Sequence, residues 1–467
     1  MDPLFLSRVQ FALTASFHFI YPPLSMGLGL LLVIIGVNYL RTRDPKWRQL
    51  SFFWVKVYGL VFAIGVATGI VQEFEFGTNW PEYSRFVGNI FGSLLAAEGV
   101  FAFFLEGGFL GLMLFGGNRL GPRMWLLAIF MVAFGAHFSA LWILMANSWM
   151  QTPAGYVVTQ TPMGTQAFMT NFSETVFTPS FLPRLWHTWV AAWMTGAALM
   201  LSVGAWFLLR VKQHAELGKA TIRVALPVFV IFSILQVPLF GARQAENVTQ
   251  HQPVKLAAME GVWEDTACAP MTVVGWIDEA NQTTYGIKIP CLLSFLAYGD
   301  INATVQGLNS FPADTWPPLQ ITFQSYHLMI NLGMVFIGIG LLAALFFFWG
   351  RRLWRSTFML WILVLTIFLT EVATIVGWWT AEFGRQPWIV WELLRTVDAG
   401  SPVLLGYQVL ISNGMFIVLY AILFVLFIFL LNEKIQHGPD SLASMEERPV
   451  NALPDTFREI FRRQARA

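Results

Sequence analysis

Histidines and carboxylates stand where a chain this apolar should not carry them. His18, Lys56, Glu98, Glu106, His137, His187, His327, Glu371 and Glu382 all fall within long hydrophobic runs, and Met329 joins them as a soft thioether. Ionisable groups at membrane depth are costly and mark ion or proton routes, ligand sites and counter-ions. Imidazole, carboxylate and thioether are also donors that can hold iron. Glu98 and Glu106 are eight residues apart, about 12 Å along a regular helix and about 80° apart around it. One can sit beside a metal while the other leads inward, the arrangement a proton relay needs. Packing accounts for some of the set. His137 and His327 read as interhelical hydrogen-bond donors, and Lys56 as an ion-pair partner or a member of a proton path. Glu371 has no legible role.

The elements that must position these groups are membrane spans. The chain has 467 residues, 56% hydrophobic and 12% charged, with a net charge of +1. Soluble domains carry about a quarter charged residues, and a near-neutral chain does not suit nucleic acid. Runs long enough to cross about 30 Å of hydrocarbon fall at about 11–40, 52–71, 89–116, 124–147, 181–209, 222–241, 322–349, 356–380 and 403–431. The expected fold is an all-α polytopic membrane protein of about nine transmembrane helices in a cell (inner) membrane. It divides into spans one to six (1–241), an outward loop (242–321), spans seven to nine (322–431) and a cytoplasmic tail (432–467).

Nine spans put the termini on opposite sides. One set of connections holds Arg41, Arg43, Lys46, Arg48, Arg119, Arg123, Arg210, Lys212, Lys219, Arg223, Arg351, Arg352 and Arg355, and leads to a basic tail. The other set holds only Arg8, Arg85, Arg184, Arg243, Lys255, Lys288, Arg385 and Arg395. The positive-inside rule therefore places the N-terminus outside and the C-terminus in the cytoplasm. The 242–321 loop then faces outward with both cysteines, Cys268 and Cys291. An oxidising compartment would join them, and a reducing one would leave two thiols. In this orientation His18, His187, Met329 and Glu382 gather in the outer half of the membrane. Glu98 lies about nine residues into its span, roughly 14 Å deep.

Six segments make the chain similar to subunit I of cytochrome bd quinol oxidases. They are LSRVQFALT (6–14, with His18), GVATGIVQEFEFGTNW (65–80), AEGVFAFFLE (97–106), SALWILMANSWMQTP (139–153), KLAAMEGVWE (255–264) and AEFGRQPW (381–388). The resemblance implies a low-spin haem b, a high-spin haem b and haem d, with membrane quinol as reductant and O2 as oxidant. It makes His187 and Met329 the low-spin ligands, His18 and Glu98 the axial group of one high-spin site, and Glu382 that of the other. Which high-spin site carries haem d differs within the family. Arg385 and Arg8 would face haem propionates, and Trp378 would stand between haems. Glu106, with Lys56, would belong to a proton route from the cytoplasm. Lys255 and Glu260 would bind quinol in the outward loop. A second integral subunit, similar to the family's subunit II, is implied, with room for a small single-helix subunit. Two departures stand out: the outward loop is short, and His327 occupies a position where many relatives have Arg.

Other readings are weaker. A haem–copper oxidase needs about six membrane histidines; the seven here include His214, His251 and His437 outside the spans. A di-haem cytochrome b needs paired histidines on shared helices. An ion transporter would use Glu98, Glu106 and Glu382 but leaves His187 and Met329 without purpose. A bd-like haem protein without oxygen reductase activity would have no need of His18, Glu98 and Glu382 together.

Overall fold

The structure is a computed structural model that describes residues 2–349 and 352–442. Among the described residues, nine helical spans are long and apolar enough to cross a membrane. The first is broken. Helix α1 (Pro3–His18) ends two residues before α2 (Tyr21–Thr42), because Pro22 and Pro23 have no N–H with which to continue the ladder. The single helix expected over 11–40 is therefore two, and His18 is the last residue of α1.

The second span is α3 (Pro45–Thr78), opened by Asp44 accepting from the Lys46 N–H at 3.0 Å with Pro45 at the first helical position, a standard start. The third consists of α4 (Pro81–Glu98), a π turn (Gly99–Phe103) and α5 (Phe104–Phe115). It starts eight residues before the expected 89, so Glu98 closes α4, about 26 Å from its start at 1.5 Å per residue. The fourth is α6 (Pro122–Gln151), followed by the hairpin β1 (Tyr156–Thr161) and β2 (Gly164–Met169) and the short α7 (Phe172–Val176). The fifth is α8 (Phe181–Leu209). The sixth runs from α9 (Ala215–Leu235) through a second π turn (Gln236–Gly241) into α10 (Ala242–His251), so the chain beyond 241 begins as helix.

The connection that follows contains α11 (Pro253–Glu260), β3 (Thr266–Ala267), β4 (Met271–Asp278), β5 (Thr283–Ile289), α12 (Leu292–Tyr298) and β6 (Thr304–Val305). A disulfide joins Cys268 to Cys291. Then come α13 (Leu319–Phe348), α14 (Thr357–Phe383), the pair β7 (Trp388–Val390) and β8 (Leu394–Arg395), and α15 (Gly406–His437). The strands form two-stranded antiparallel sheets confined to connections, so the membrane part is all helical as expected. Arg351 and tail residues 443–467, with Arg448, Arg458, Arg462, Arg463 and Arg466, lie outside the described residues.

Helix α8 is the most enclosed span and carries much of the core, with Met200 and Leu201 fully buried alongside Leu28, Leu31 and Leu32 of α2. The two helices cross at Gly27 and Gly196, where a Cβ on either would strike the other's backbone. Close approach over small residues is how helices associate where lipid removes the hydrophobic drive. Helix α15 lies at the rim, with Ile417, Val418 and Val425 each more than half exposed.

Candidate functional site

His18 ends α1 with its imidazole against α3. Its Nδ1 lies 2.9 Å from Thr68 Oγ1, whose own proton goes to the Ile64 and Gly65 carbonyls at 2.9 and 3.0 Å. With that proton on a carbonyl, the hydroxyl accepts from Nδ1–H and the Nε2 lone pair is left for a ligand bond; a partner of this kind is what orients metal-bound histidines. Gly69 gives the ring its space, since a Cβ there would stand 3.1 Å from His18 Cε1.

Glu98 and Glu106 flank the π turn. An i→i+5 turn winds each residue through less than the α-helical 100°, so the angle between the two carboxylates falls below the about 80° of a regular helix. Both face α6. Ser139 Oγ donates to Glu98 Oε1 at 2.6 Å, and Gly135, one turn away, packs against the Glu106 backbone and Cβ. Tyr58 of α3 donates to Glu106 Oε1 at 2.9 Å. Lys56 takes another direction. Two residues from Tyr58 is about 200° around a helix, and its Nζ pairs with Asp440 Oδ2 at 2.6 Å, beyond the end of α15.

His187 sits near the start of α8 against the second π turn, with its Nδ1 3.3 Å from Gln236 Nε2, which also donates to the His187 carbonyl at 3.0 Å. Single π turns are frequent at functional sites, and here each borders a predicted ligand. The same turn touches α13, where Val237 packs on Gly333, one turn beyond Met329. Met329 Sδ lies over Gly377 of α14; a Cβ there would come within 2.9 Å of the sulfur. Trp378 follows, its ring 6.3 Å from Phe11 of α1 and 6.4 Å from Phe19, the residue after α1. It thus stands between the Met329 side and the His18 side, and Glu382 comes one turn later on the same face.

Glu382 has the densest surroundings. It pairs with Arg385 and accepts from Asn147 Nδ2 at 3.1 Å, while Arg184 donates to Asn147 Oδ1. Lys255 reaches in from α11, donating to the Ala381 carbonyl at 3.1 Å and to Gln151 Oε1 at 3.3 Å. Burial brings the Lys255 amine down to about 7, and the Arg184 and Arg385 guanidiniums add to the effect. Nε of Arg184, and Nε and Nη1 of Arg385, are buried without a hydrogen-bond partner. Orphaned guanidinium donors suit the carboxylates of a haem. Together with histidine, thioether and carboxylate donors on separate helices, they make the residues present fit the haems that the sequence implies.

Glu260 ends α11 and is buried against α13. Tyr326 lies beside it and His327 Nε2 is 4.0 Å from its Oε2. Burial pushes its carboxyl up to about 7, with Tyr326 and the Thr272 backbone pulling the other way. His327 Nδ1 is occupied by the Phe323 carbonyl at 2.8 Å. His137 bridges helices as an acceptor, not as the donor expected: Nδ1 meets the Ala133 carbonyl of its own helix at 2.7 Å, and Nε2 accepts from Trp193 of α8 at 2.8 Å. No hydrogen bond or ion pair among the described residues joins Arg8, half-buried on α1, to these clusters. Glu371 is buried in mid-α14 without a hydrogen-bond partner.

Sequence reasoning did not single out Thr68, Tyr58, Ser139, Asn147, Gln151, Arg184 or Gln236. Four of them lie in the family-like segments, where a polar residue between apolar neighbours was the available signal. Arg184 was counted among loop cations, yet it is 9% exposed.

A family model for cytochrome bd terminal oxidase subunit I matches residues 6–439. The chain is 37% identical over 454 residues to cytochrome bd ubiquinol oxidase subunit 1 of Bacillus subtilis, covering 94% of this chain and 95% of that one. Against cytochrome bd-II ubiquinol oxidase subunit 1 of Escherichia coli it is 35% identical, covering 96% and 99%. The solved bd oxidase from Geobacillus thermodenitrificans superposes with a TM-score of 0.86 at 28% identity, over 94% of this chain and 99% of that one. From its first helix to the end of its ninth span, this chain is a multi-pass membrane protein that belongs to the cytochrome bd terminal oxidase subunit I family.

Proposed function

We propose that this chain is the haem-bearing subunit of an electrogenic quinol:oxygen oxidoreductase, with quinol oxidised at the 242–321 loop and O2 reduced inside the bundle. The observation that carries the reading is the placing of Glu260 against Tyr326 and His327 of α13, within one turn of Met329. A proton acceptor for quinol thus adjoins the ligand of the haem that would take its electrons.

His187 and Met329 would hold a low-spin haem b. His18 with Glu98, and Glu382, would hold a high-spin haem b and haem d in one order or the other. Bound, these groups would supply one-electron transfer and the iron at which O2 is reduced. The chain's own residues do the rest. Glu260, with its carboxyl near neutrality, accepts a proton from the quinol hydroxyl as general base. Lys255, its amine brought down towards neutrality by burial, reaches the Gln151 amide at the end of α6 and helps to fix the substrate. Trp378 fills the space between the two sides. Glu106 and Glu98 hold protons along the α6 face on their way to oxygen. With the loop outside and the basic connections in the cytoplasm, protons leave outside and are drawn from inside, so charge separates without a pump. The relatives' designation as subunit 1 supports a second integral subunit beside this one.

The test is a reduced-minus-oxidised optical spectrum of the purified complex with quinol-driven O2 uptake on the same sample. Haem b bands, a chlorin band in the red and uptake are expected; a preparation without haem would overturn the reading.

A further inference from the structure

The 242–321 connection contains a hairpin whose position follows from three amides on one face of α13. Gln320 Oε1 accepts from the Ile277 N–H at 3.3 Å, Gln324 Nε2 donates to the Gly275 carbonyl at 2.9 Å, and Asn331 Nδ2 donates to the Val273 carbonyl at 3.0 Å. Successive edge groups of β4 are thus satisfied stepwise down a membrane-spanning helix. From Gln320 to Asn331 is about 16 Å of helix, and from Ile277 to Val273 about 13 Å of strand. The hairpin lies along α13 with its Asp278–Thr283 turn at the loop-side end and its Met271 and Ile289 ends pointing towards the bilayer centre.

The stripe that carries these amides continues below as Met334 and Leu341, 55% and 51% exposed, on a helix long and apolar enough to cross a membrane. On the outer half of α13 the hairpin occupies the place lipid takes on the inner half. Its far face is apolar and uncovered: Val274 57%, Trp276 60%, Tyr285 58%, Ile287 70% and Ile289 45% exposed. Trp276 pairs across the strands with Tyr285, and Val274 with Ile287. The aromatic pair is nearer the turn and the aliphatic residues nearer the bilayer centre, which is the order of an interfacial belt above hydrocarbon. The turn itself is polar (Asp278, Glu279, Asn281, Gln282).

From this we infer that the β4–β5 hairpin is a membrane-interface element, with its Val274, Trp276, Tyr285, Ile287 and Ile289 face seated in the loop-side leaflet. The depth is bounded from both directions. Burying the aliphatic side chains draws the hairpin in. Among the described residues β5 pairs with β4 alone, and its second edge needs water or headgroups, since hydrocarbon leaves backbone polar groups unsatisfied. The hairpin therefore lies at the headgroup–acyl boundary and does not cross. It ties the connection that carries Lys255 and Glu260 to the lipid surface, independently of what those residues bind.

The experiment is collisional accessibility of nitroxides in the full complex reconstituted into bilayers. Ile287→Cys and Val274→Cys on neighbouring strands report the face, and Asn281→Cys reports the turn; the two native cysteines are joined to each other and leave the label specific. Residues 287 and 274 are expected to favour membrane-soluble O2 over a water-soluble nickel chelate, with the ranking reversed at 281. Chelate accessibility at 287 and 274 equal to that at 281 would make this an aqueous loop and overturn the inference. Shielding of both positions from both reagents would place protein on the face and overturn it as well.

Discussion

Carboxylates are held in two contrasting ways in this bundle. At the loop-side end, Glu382 is enclosed by Arg385, Asn147 and, through Asn147, Arg184, with Lys255 arriving from α11. In the third span, Glu98 and Glu106 each have one hydroxyl, Ser139 and Tyr58. The first arrangement fixes position through several donors from separate elements. The second fixes it through a single hydroxyl on each carboxylate. A hydroxyl can donate to a carboxylate or accept from a carboxylic acid, so a single hydroxyl partner suits a group that passes protons. The many-donor hold suits a fixed ligand and the single hydroxyl a proton route; Glu98, proposed for both roles, is held in the second way.

Removing a cation from the dense cluster should have the largest effect. Arg385→Leu leaves a buried carboxylate without its ion-pair partner, a loss of about 3–5 kcal/mol, read as a lower melting temperature of the complex. An unchanged melt would show that Glu382 does not depend on that pair. Glu260→Ala should lower quinol-driven O2 uptake by at least about 100-fold, the usual worth of a general base, while artificial low-potential donors still drive uptake. Equal loss with both donors would remove Glu260 from quinol chemistry.

The pH profile sharpens the same point. Burial raises the Glu260 carboxyl to about 7, so the base form is scarce below that value and complete above it. Quinol kcat/KM should therefore rise as pH climbs through about 7 and then level; a profile flat from 5 to 8 would contradict the assignment. Smallest should be Tyr58→Phe, which removes a single hydrogen bond of about 1 kcal/mol. It should slow turnover a few-fold and leave stability almost unchanged. A stability loss matching that of Arg385→Leu would erase the contrast between the two regions.

Much of this was legible in the sequence. Apolar runs mark the nine spans because lipid demands them, and basic connections suggest their direction. What hydropathy could not show is where a helix stops being α. The break before Tyr21 had a signal in Pro22–Pro23, and the π turn at Gln236–Gly241 had one in Pro238. The turn at Gly99–Phe103 had Gly99 alone. These irregularities sit at His18, His187 and between Glu98 and Glu106, so the least readable backbone lies at the candidate site. Arg184 was misjudged because counting by chain position ignores burial. The β4–β5 hairpin lies in a stretch read only as an outward loop, although its Val274, Trp276 and Tyr285, Ile287, Ile289 alternate as a strand face should.

The most direct measurement is the reduced-minus-oxidised spectrum of Met329→Leu beside the parent complex. Glu260 and Met329 are joined through one turn of α13, so the account requires a low-spin haem held by that sulfur. It predicts that the low-spin band disappears while the high-spin and chlorin signals remain. A low-spin band of unchanged position and size would contradict it and detach the quinol base from the electron acceptor.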